Sequence, residues 1–285
     1  MQPTDDGLPA DYNEALRAGR LSPLWRVIRS LIRYHLPVRN TEPALWRYAD
    51  IRPLLMRSGE LVPIDMAERR TLALCNPGFG GQELRLTPSI FVGFQLLMPG
   101  EVAVNHRPTA SALRFVIEGR GAYTTVNGER LPMEPGDLLL TPGGCWHEHG
   151  QEHADPVIWL DALDVPLVYY LEASIAELGE QQNAAPGTDA SATRFRRAGL
   201  VPYRELGSGD RYPLLRFPWH ETRAALLDLS NGVGRDAAVH LAYVNPLTGA
   251  DCLPTLGCSA LMLRPGEERR FARRSASAAL HVVEG

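Results

Sequence analysis

From about Glu68 onward, hydrophobic residues come in short runs closed by turn residues. Phe91 to Met98 ends at Pro99-Gly100-Glu101, and Ala112 to Glu118 ends at Gly119. Ala122 to Val126 leads into Asn127-Gly128, the strongest short hairpin signal. Pro135-Gly136 introduces Asp137 to Leu140, Thr141-Pro142-Gly143-Gly144 follows, and Val157 to Leu160 is a further strand. Short strands with turns about every 8–12 residues predict a sandwich or barrel. Before Glu68 the pattern is helical. Asp11 to His35 places Leu16, Leu21, Leu24, Trp25, Ile28, Leu31 and Ile32 at roughly helical spacing. Ala44 to Leu55 is a second, shorter amphipathic stretch interrupted by Pro53. Neither is long enough to form a domain alone, so both are expected to pack on something else. Ile175 to Arg197 is polar and reads as a linker, and His220 to Leu229 as a helix.

The later part of the chain echoes the earlier part. Asn76-Pro77 returns as Asn245-Pro246. Pro99-Gly100-Glu101 through Glu118-Gly119 returns as Pro265-Gly266-Glu267 through Glu284-Gly285, with Ser111-Ala112 matched by Ser277-Ala278. Such self-similarity marks a duplication. The second copy reaches Glu284-Gly285 where the first is half finished, so one complete small barrel and the front half of another are expected. An open half-barrel exposes strand edges, which another subunit would cover.

Composition narrows the class. The chain has 285 residues, 45% hydrophobic and 22% charged, which excludes wholesale disorder. The 26 glycines and 23 prolines favour a turn-rich β body over a helical bundle. No apolar run approaches the ~18 residues of a membrane span, and the acidic, polar N-terminus carries no secretory signal pattern. Cys75, Cys145, Cys252 and Cys258 form no CxxC pair and read as reduced thiols of a cytoplasmic protein. A net charge of −4 argues against a nucleic-acid partner.

The candidate chemistry lies in the first barrel. His106 follows the Pro99-Gly100-Glu101 turn, and Trp146-His147-Glu148-His149-Gly150 follows Thr141-Pro142. Imidazoles on two hairpins of one barrel converge inside it, and a mononuclear metal site needs three or four ligands. A lone histidine is more often an ordinary hydrogen-bonding residue, but the matched placement of these favours a site with open positions, suited to iron(II) and oxygen.

Two strings carry a resemblance. Pro99-Gly100-Glu101 with His106, Arg114, Phe115 and Glu118-Gly119, and Pro135-Gly136-Asp137 with Thr141-Pro142 and His147, look like the two cupin motifs. Ser111 to Gly119, Trp146 to Gly150 and Trp159 to Pro166 more specifically resemble the bicupin gentisate 1,2-dioxygenases, with salicylate and 1-hydroxy-2-naphthoate dioxygenases as kin. The similarity runs from about Leu24 to the end. It implies a mainly β bicupin with a helical N-terminal arm and an incomplete second cupin. The expected division is 1–62 helical arm, 63–174 first cupin barrel, 175–230 linker and helix, and 231–285 partial second cupin.

The resemblance also implies an enzyme that opens the ring of a hydroxybenzoate, gentisate to maleylpyruvate, with non-haem iron(II) and dioxygen. It implies a homo-oligomer, a tetramer by family, with no nucleic-acid or membrane partner. The family's three iron ligands fall at His106, position 108 and His147. Position 108 is proline, which has no donor atom. The family's substrate-contacting positions match Arg70, Gln95, Arg114, His149 and Asp161. Forked arginine donors suit a carboxylate, so Arg70 and Arg114 are expected as clamps. His149 is expected to accept the phenolic proton, and Asp161 to orient His149 or an arginine. In the second copy, Ala272 stands for His106 and Leu280 for Arg114, with His281 on the opposite strand face, so no site is expected there. The rival expectation is an inactive relative that keeps the fold or binds an aromatic acid.

Overall fold

A computed structural model describes residues 7–34, 36–37, 39–182, 189–197, 199–272 and 274–285. Contacts divide the chain into two units, 1–40 and 41–285. In the first, the helical pattern is broken up: α1 (Ala10–Ala18) stops at Gly19, a 3₁₀ turn covers Leu24–Arg26, and α2 spans Ile28–Leu31. The residues between these pieces include Pro23, which fixes its own φ and biases Ser22 toward extended backbone. His35, the end of the expected stretch, lies outside the described residues.

The second unit begins with α3 (Tyr48–Leu61) and α4 (Ile64–Ala67). Contrary to expectation, α3 continues through Pro53. Packing explains this: Tyr48, Ile51 and Leu55 lie against Phe94, Leu96 and Ile158, which outweighs one missing backbone bond.

The body is a barrel of two antiparallel sheets. The strands are β1 (Thr71–Ala73), β2 (Phe91–Leu97), β3 (Val102–Pro108), β4 (Ala112–Glu118), β5 (Ala122–Val126), β6 (Glu129–Met133), β7 (Leu138–Thr141), β8 (His147–Gln151) and β9 (Val157–Leu163). After α5 (Val165–Tyr170) come β10 (Ala176–Leu178) and, past α6 (Ala190–Arg194), β11 (Arg216–Phe217). One sheet runs β1-β2-β9-β4-β7-β11 and the other β10-β3-β8-β5-β6. Leu113, Val116, Leu131, Met133, Leu139, Val157 and Trp159 share the buried core cluster. The β5–β6 turn has φ of 45° at Asn127 and 83° at Gly128, the left-handed pair that its dipeptide foretells. The expected linker is more ordered than its composition suggests. β10 pairs with β3, and Gln182 bonds to Glu148, Asn105 and Gly128. Residues 183–188 of that segment lie outside the description.

The repeat is visible in local geometry. Glu101 accepts the Met98 N–H at 2.7 Å, and Glu267 accepts the Arg264 N–H at 2.9 Å. Gly100 and Gly266 take φ of 76° and 73° in these two turns. Asn76 accepts from Gly78 N, as Asn245 does from Leu247 N. The second copy contributes α7 (Trp219–Gly232) and one hairpin, β12 (Val239–Tyr243) with β13 (Cys258–Met262). Ala278 to Val283, which the repeat matches to the strand residues Ala112 to Ile117, forms no strand. Among the described residues no strand pairs with it, and Leu280 and Val282 are exposed. The segment is instead held by Glu284, which accepts from Trp219 Nε1 and Arg223, and by His281 against Phe115.

Candidate active site

Register determines which side chains meet inside the barrel. In the second sheet His106 pairs with His147, and Thr124 with His149. In the first, Gln95 pairs with Trp159, and Arg114 with Asp161. Strand neighbours two apart share a face, so His147 and His149 point the same way. The Nε2 atoms of His106 and His147 are 2.9 Å apart. The His147 and His149 rings are 5.6 Å apart, and the His149 and Trp159 rings 5.4 Å.

The electrostatics are those of a buried, cationic cluster. Arg114 and Asp161 are buried as an ion pair, Nε to Oδ1 at 2.9 Å, although the N–H points off the oxygen. Asp161 Oδ2 accepts from Trp159 Nε1 at 2.8 Å, so Asp161 orients the arginine rather than His149. Arg69 enters the same field: burial, then repulsion from Arg114, lowers its pKa to about 10. Burial, followed by the charges of Arg69 and Arg114, pushes His106 down from 6.5 to about 3. Burial likewise holds His147 and His149 well below the usual range. All three imidazoles are therefore neutral near pH 7, while two guanidiniums face one carboxylate.

Among the buried side-chain nitrogens and oxygens that lack a hydrogen-bond partner among the described residues are Gln95 Nε2, Arg114 Nη1 and His149 Nε2, while Arg114 Nε and Asp161 Oδ1 face each other in the ion pair. Gln95 Nε2 and Arg114 Nη1 are donors there, and His149 Nε2 is the imidazole nitrogen not bound to Thr124. Native interiors rarely leave such atoms unmade, and clustering of this kind marks a place built for a polar ligand.

The structure does not bring Arg70 to this cluster. Arg70 donates to Val62 O and, in a two-pronged pair, to both oxygens of Glu101. It thereby braces the Pro99-Gly100-Glu101 turn. Its neighbour Arg69 lies nearer: its charge acts on His106, His149 and Asp161, while its guanidinium donates to Val104 O at 2.6 Å and Glu68 O at 3.0 Å. Glu68, at φ 52° and ψ −50°, makes a γ-turn closed by Arg69 N–H to Ala67 O, a strained conformation that sets where Arg69 leaves the backbone.

Residues 93–163 match the cupin domain family. A gentisate 1,2-dioxygenase of Ralstonia sp is 48% identical over 98% of this chain and 79% of its own length. The chain belongs to the gentisate 1,2-dioxygenase family. Another relative of this family of ring-cleaving dioxygenases, a 5-aminosalicylate 1,2-dioxygenase of Comamonas sp, is 39% identical over 96% of the chain and 74% of its own length. A crystal structure of salicylate 1,2-dioxygenase from Pseudoaminobacter salicylatoxidans with gentisate superposes with a TM-score of 0.81 at 34% identity, covering 91% of this chain and 73% of that one. The bicupin fold expected from the sequence is the fold observed. Among the described residues, no helix is long and apolar enough to cross a membrane.

Iron(II), the metal this family implies, can be tested against the donors present. Two metal–imidazole bonds of about 2.1 Å at a right angle place their nitrogens about 3.0 Å apart, close to the 2.9 Å between His106 and His147 Nε2. His147 Nδ1–H donates to Cys145 O at 3.1 Å, which leaves its Nε2 lone pair free to ligate. These two residues fit the metal as a pair. Pro108 adds no donor, and no group of three or more His, Cys, Asp or Glu among the described residues is arranged to hold an ion.

The neutral imidazoles predict an acid-side loss of stability. Their folded pKa values lie below 6.5, so the unfolded chain binds protons that the folded chain does not. This contribution is complete above about pH 6.5 and fades as pH falls toward 3. The melting temperature of the metal-free chain should fall between about pH 6.5 and about pH 5, less steeply in His106→Gln. A flat profile in both would contradict the assignment.

Proposed function

We propose that the chain is a gentisate 1,2-dioxygenase-type enzyme that binds an aromatic hydroxy acid inside the first barrel and opens its ring between the carboxylate-bearing carbon and the adjacent hydroxylated carbon, giving maleylpyruvate from gentisate. The observation that carries this reading is the set of unmade buried polar atoms on Gln95, Arg114 and His149, in a cluster where two guanidiniums outnumber the Asp161 carboxylate. A hydroxybenzoate supplies the complement: a planar carboxylate for guanidinium donors and an adjacent hydroxyl for an imidazole.

In this reading Arg114 and Arg69 hold the carboxylate, and Asp161 keeps Arg114 in place. Gln95 Nε2 donates to a substrate oxygen. His149 Nε2 accepts the phenolic proton, helped by the neighbouring positive charges that favour the phenolate. Trp159, fully buried beside His149, excludes water. His106 and His147 would hold iron(II), whose chemistry when bound is the activation of dioxygen toward the ring. We further place the protein in the cytoplasm, consistent with its free cysteines, and as a homo-oligomer.

The test is gentisate-dependent oxygen uptake by the iron(II)-supplied chain, with the ring-opened product followed by absorbance. Arg69→Met should lower kcat/KM by about 10-fold or more, the effect of losing a hydrogen bond to a charged group. An Arg70→Met variant that loses activity while Arg69→Met keeps it would reverse the assignment.

A further inference from the structure

Thr124 is fully buried on β5, directly across from His149 on β8. Its Oγ1 lies 2.9 Å from His149 Nδ1 and 3.3 Å from Met133 Sδ. A hydroxyl has one proton to donate and two lone pairs to offer, whereas a thioether sulfur only accepts. If both contacts are hydrogen bonds, the hydroxyl proton goes to sulfur. The imidazole contact then runs the other way, with His149 Nδ1–H donating to Oγ1. A neutral imidazole carries a single N–H, so its Nε2 is left with a bare lone pair.

The surroundings select the same tautomer. His149 Nε2 is buried and finds no partner among the described residues. An N–H at that position would be a donor left unmade, the costlier of the two omissions beside a weakly accepting sulfur. Arg69 and Arg114 also act on this ring as nearby positive charges. A lone pair directed at cations is favoured over an N–H whose positive end faces them.

We propose that Thr124, backed by the Met133 thioether, is the positioning residue that fixes His149 in its Nδ1–H tautomer and so presents Nε2 as the proton acceptor. The identity of the proton donor, a substrate hydroxyl, rests on the function proposed above; the tautomer does not. The effect is specific: a hydroxyl alone at position 124, without the Met133 sulfur to take its proton, would tolerate either tautomer, since a free hydroxyl can donate to Nδ1 as readily as accept from it.

Ring-¹⁵N histidine labelling of the full metal-free chain reads the tautomer directly, with the His149 signals assigned by their loss in His149→Gln. The wild type should show a protonated Nδ1 and an unprotonated Nε2. Thr124→Val, which removes both hydrogen bonds, and Met133→Leu, which frees the hydroxyl proton for Nδ1, should each raise the population with the proton on Nε2. Thr124→Ser should keep the wild-type pattern. In the iron(II)-supplied enzyme, Thr124→Val should lower kcat with gentisate by about 10–100-fold with KM little changed, the scale of losing a partner that orients a functional imidazole. Thr124→Ser should rescue it. A wild-type His149 carrying its proton on Nε2 overturns the proposal, as does a wild-type pattern in both Thr124→Val and Met133→Leu. Absence of gentisate turnover in the wild type with the expected tautomer would sink the function proposed above and leave the role of Thr124 standing.

Discussion

Replacing Arg114 with alanine is expected to destabilise the chain by about 3–5 kcal/mol and to weaken binding of an aromatic acid by about 1.5–3 kcal/mol. The two effects have different origins. The first arises because Asp161 would stay buried without its counter-charge. Burial already raises the Asp161 pKa against the pull of Arg114, so the variant carboxyl would be protonated or drive local opening. The second arises because Arg114 Nη1, which has no partner among the described residues, is the donor that would meet the substrate carboxylate. A double variant separates them. In Arg114→Met with Asp161→Asn, the buried charge is gone and Trp159 Nε1 keeps an acceptor. Most of the stability should return, and none of the binding. Calorimetric titration and chemical denaturation measure the two. An Arg114→Ala protein that binds gentisate as tightly as the wild type would remove Arg114 from the site.

The second large effect is expected on metal content. With two imidazoles as ligands, the wild type should carry well under one iron per chain after anaerobic purification, since iron(II) lies low in the affinity order. Pro108→His should bring it close to one. Pro108 lies two residues after His106 on β3 and already has the strand backbone that a ligand there needs. Its registered neighbour on β10 is Ala176, whose side chain is small. The gain in iron affinity should be at least about 10–100-fold, the scale on which even partners outside the coordination sphere act. Metal analysis of the two proteins, purified side by side, reads it. Near-stoichiometric, tightly held iron in the wild type would require a ligand other than His106 and His147.

The features legible in the sequence are those set by near neighbours. Asn127-Gly128 closes a hairpin because its two residues tolerate left-handed backbone, and the φ values follow. The two Pro-Gly-Glu turns are alike because each glutamate caps its own turn. His106, His147, His149, Arg114 and Asp161 meet because barrel strands alternate faces, a period of two that motif spacing preserves. The features that escaped depend on distant partners. Arg70 was matched to the substrate, but its donors are engaged by Glu101, 31 positions away. Arg69, its immediate neighbour, acts on the cluster as a nearby charge from a position set by the γ-turn at Glu68, which no residue-type pattern announces. Ala278 to Val283 has the composition of a strand, yet composition does not provide a pairing edge. The bond between Thr124 and His149 depends on the register of β5 with β8, which is fixed only in the folded sheet.

The barrel interior is expected to recognise the carboxylate and adjacent hydroxyl of one aromatic acid. Anaerobic calorimetric titration of the intact wild-type chain with gentisate, and in parallel with benzene-1,4-diol, tests it most directly. The diol keeps the ring and both hydroxyls and lacks only the carboxylate. Gentisate is expected to bind one per chain and at least about 10-fold more tightly, the effect of a charge-assisted hydrogen bond to a buried guanidinium. Equal affinity for the two compounds, or no binding of gentisate with or without added iron(II), would contradict the account.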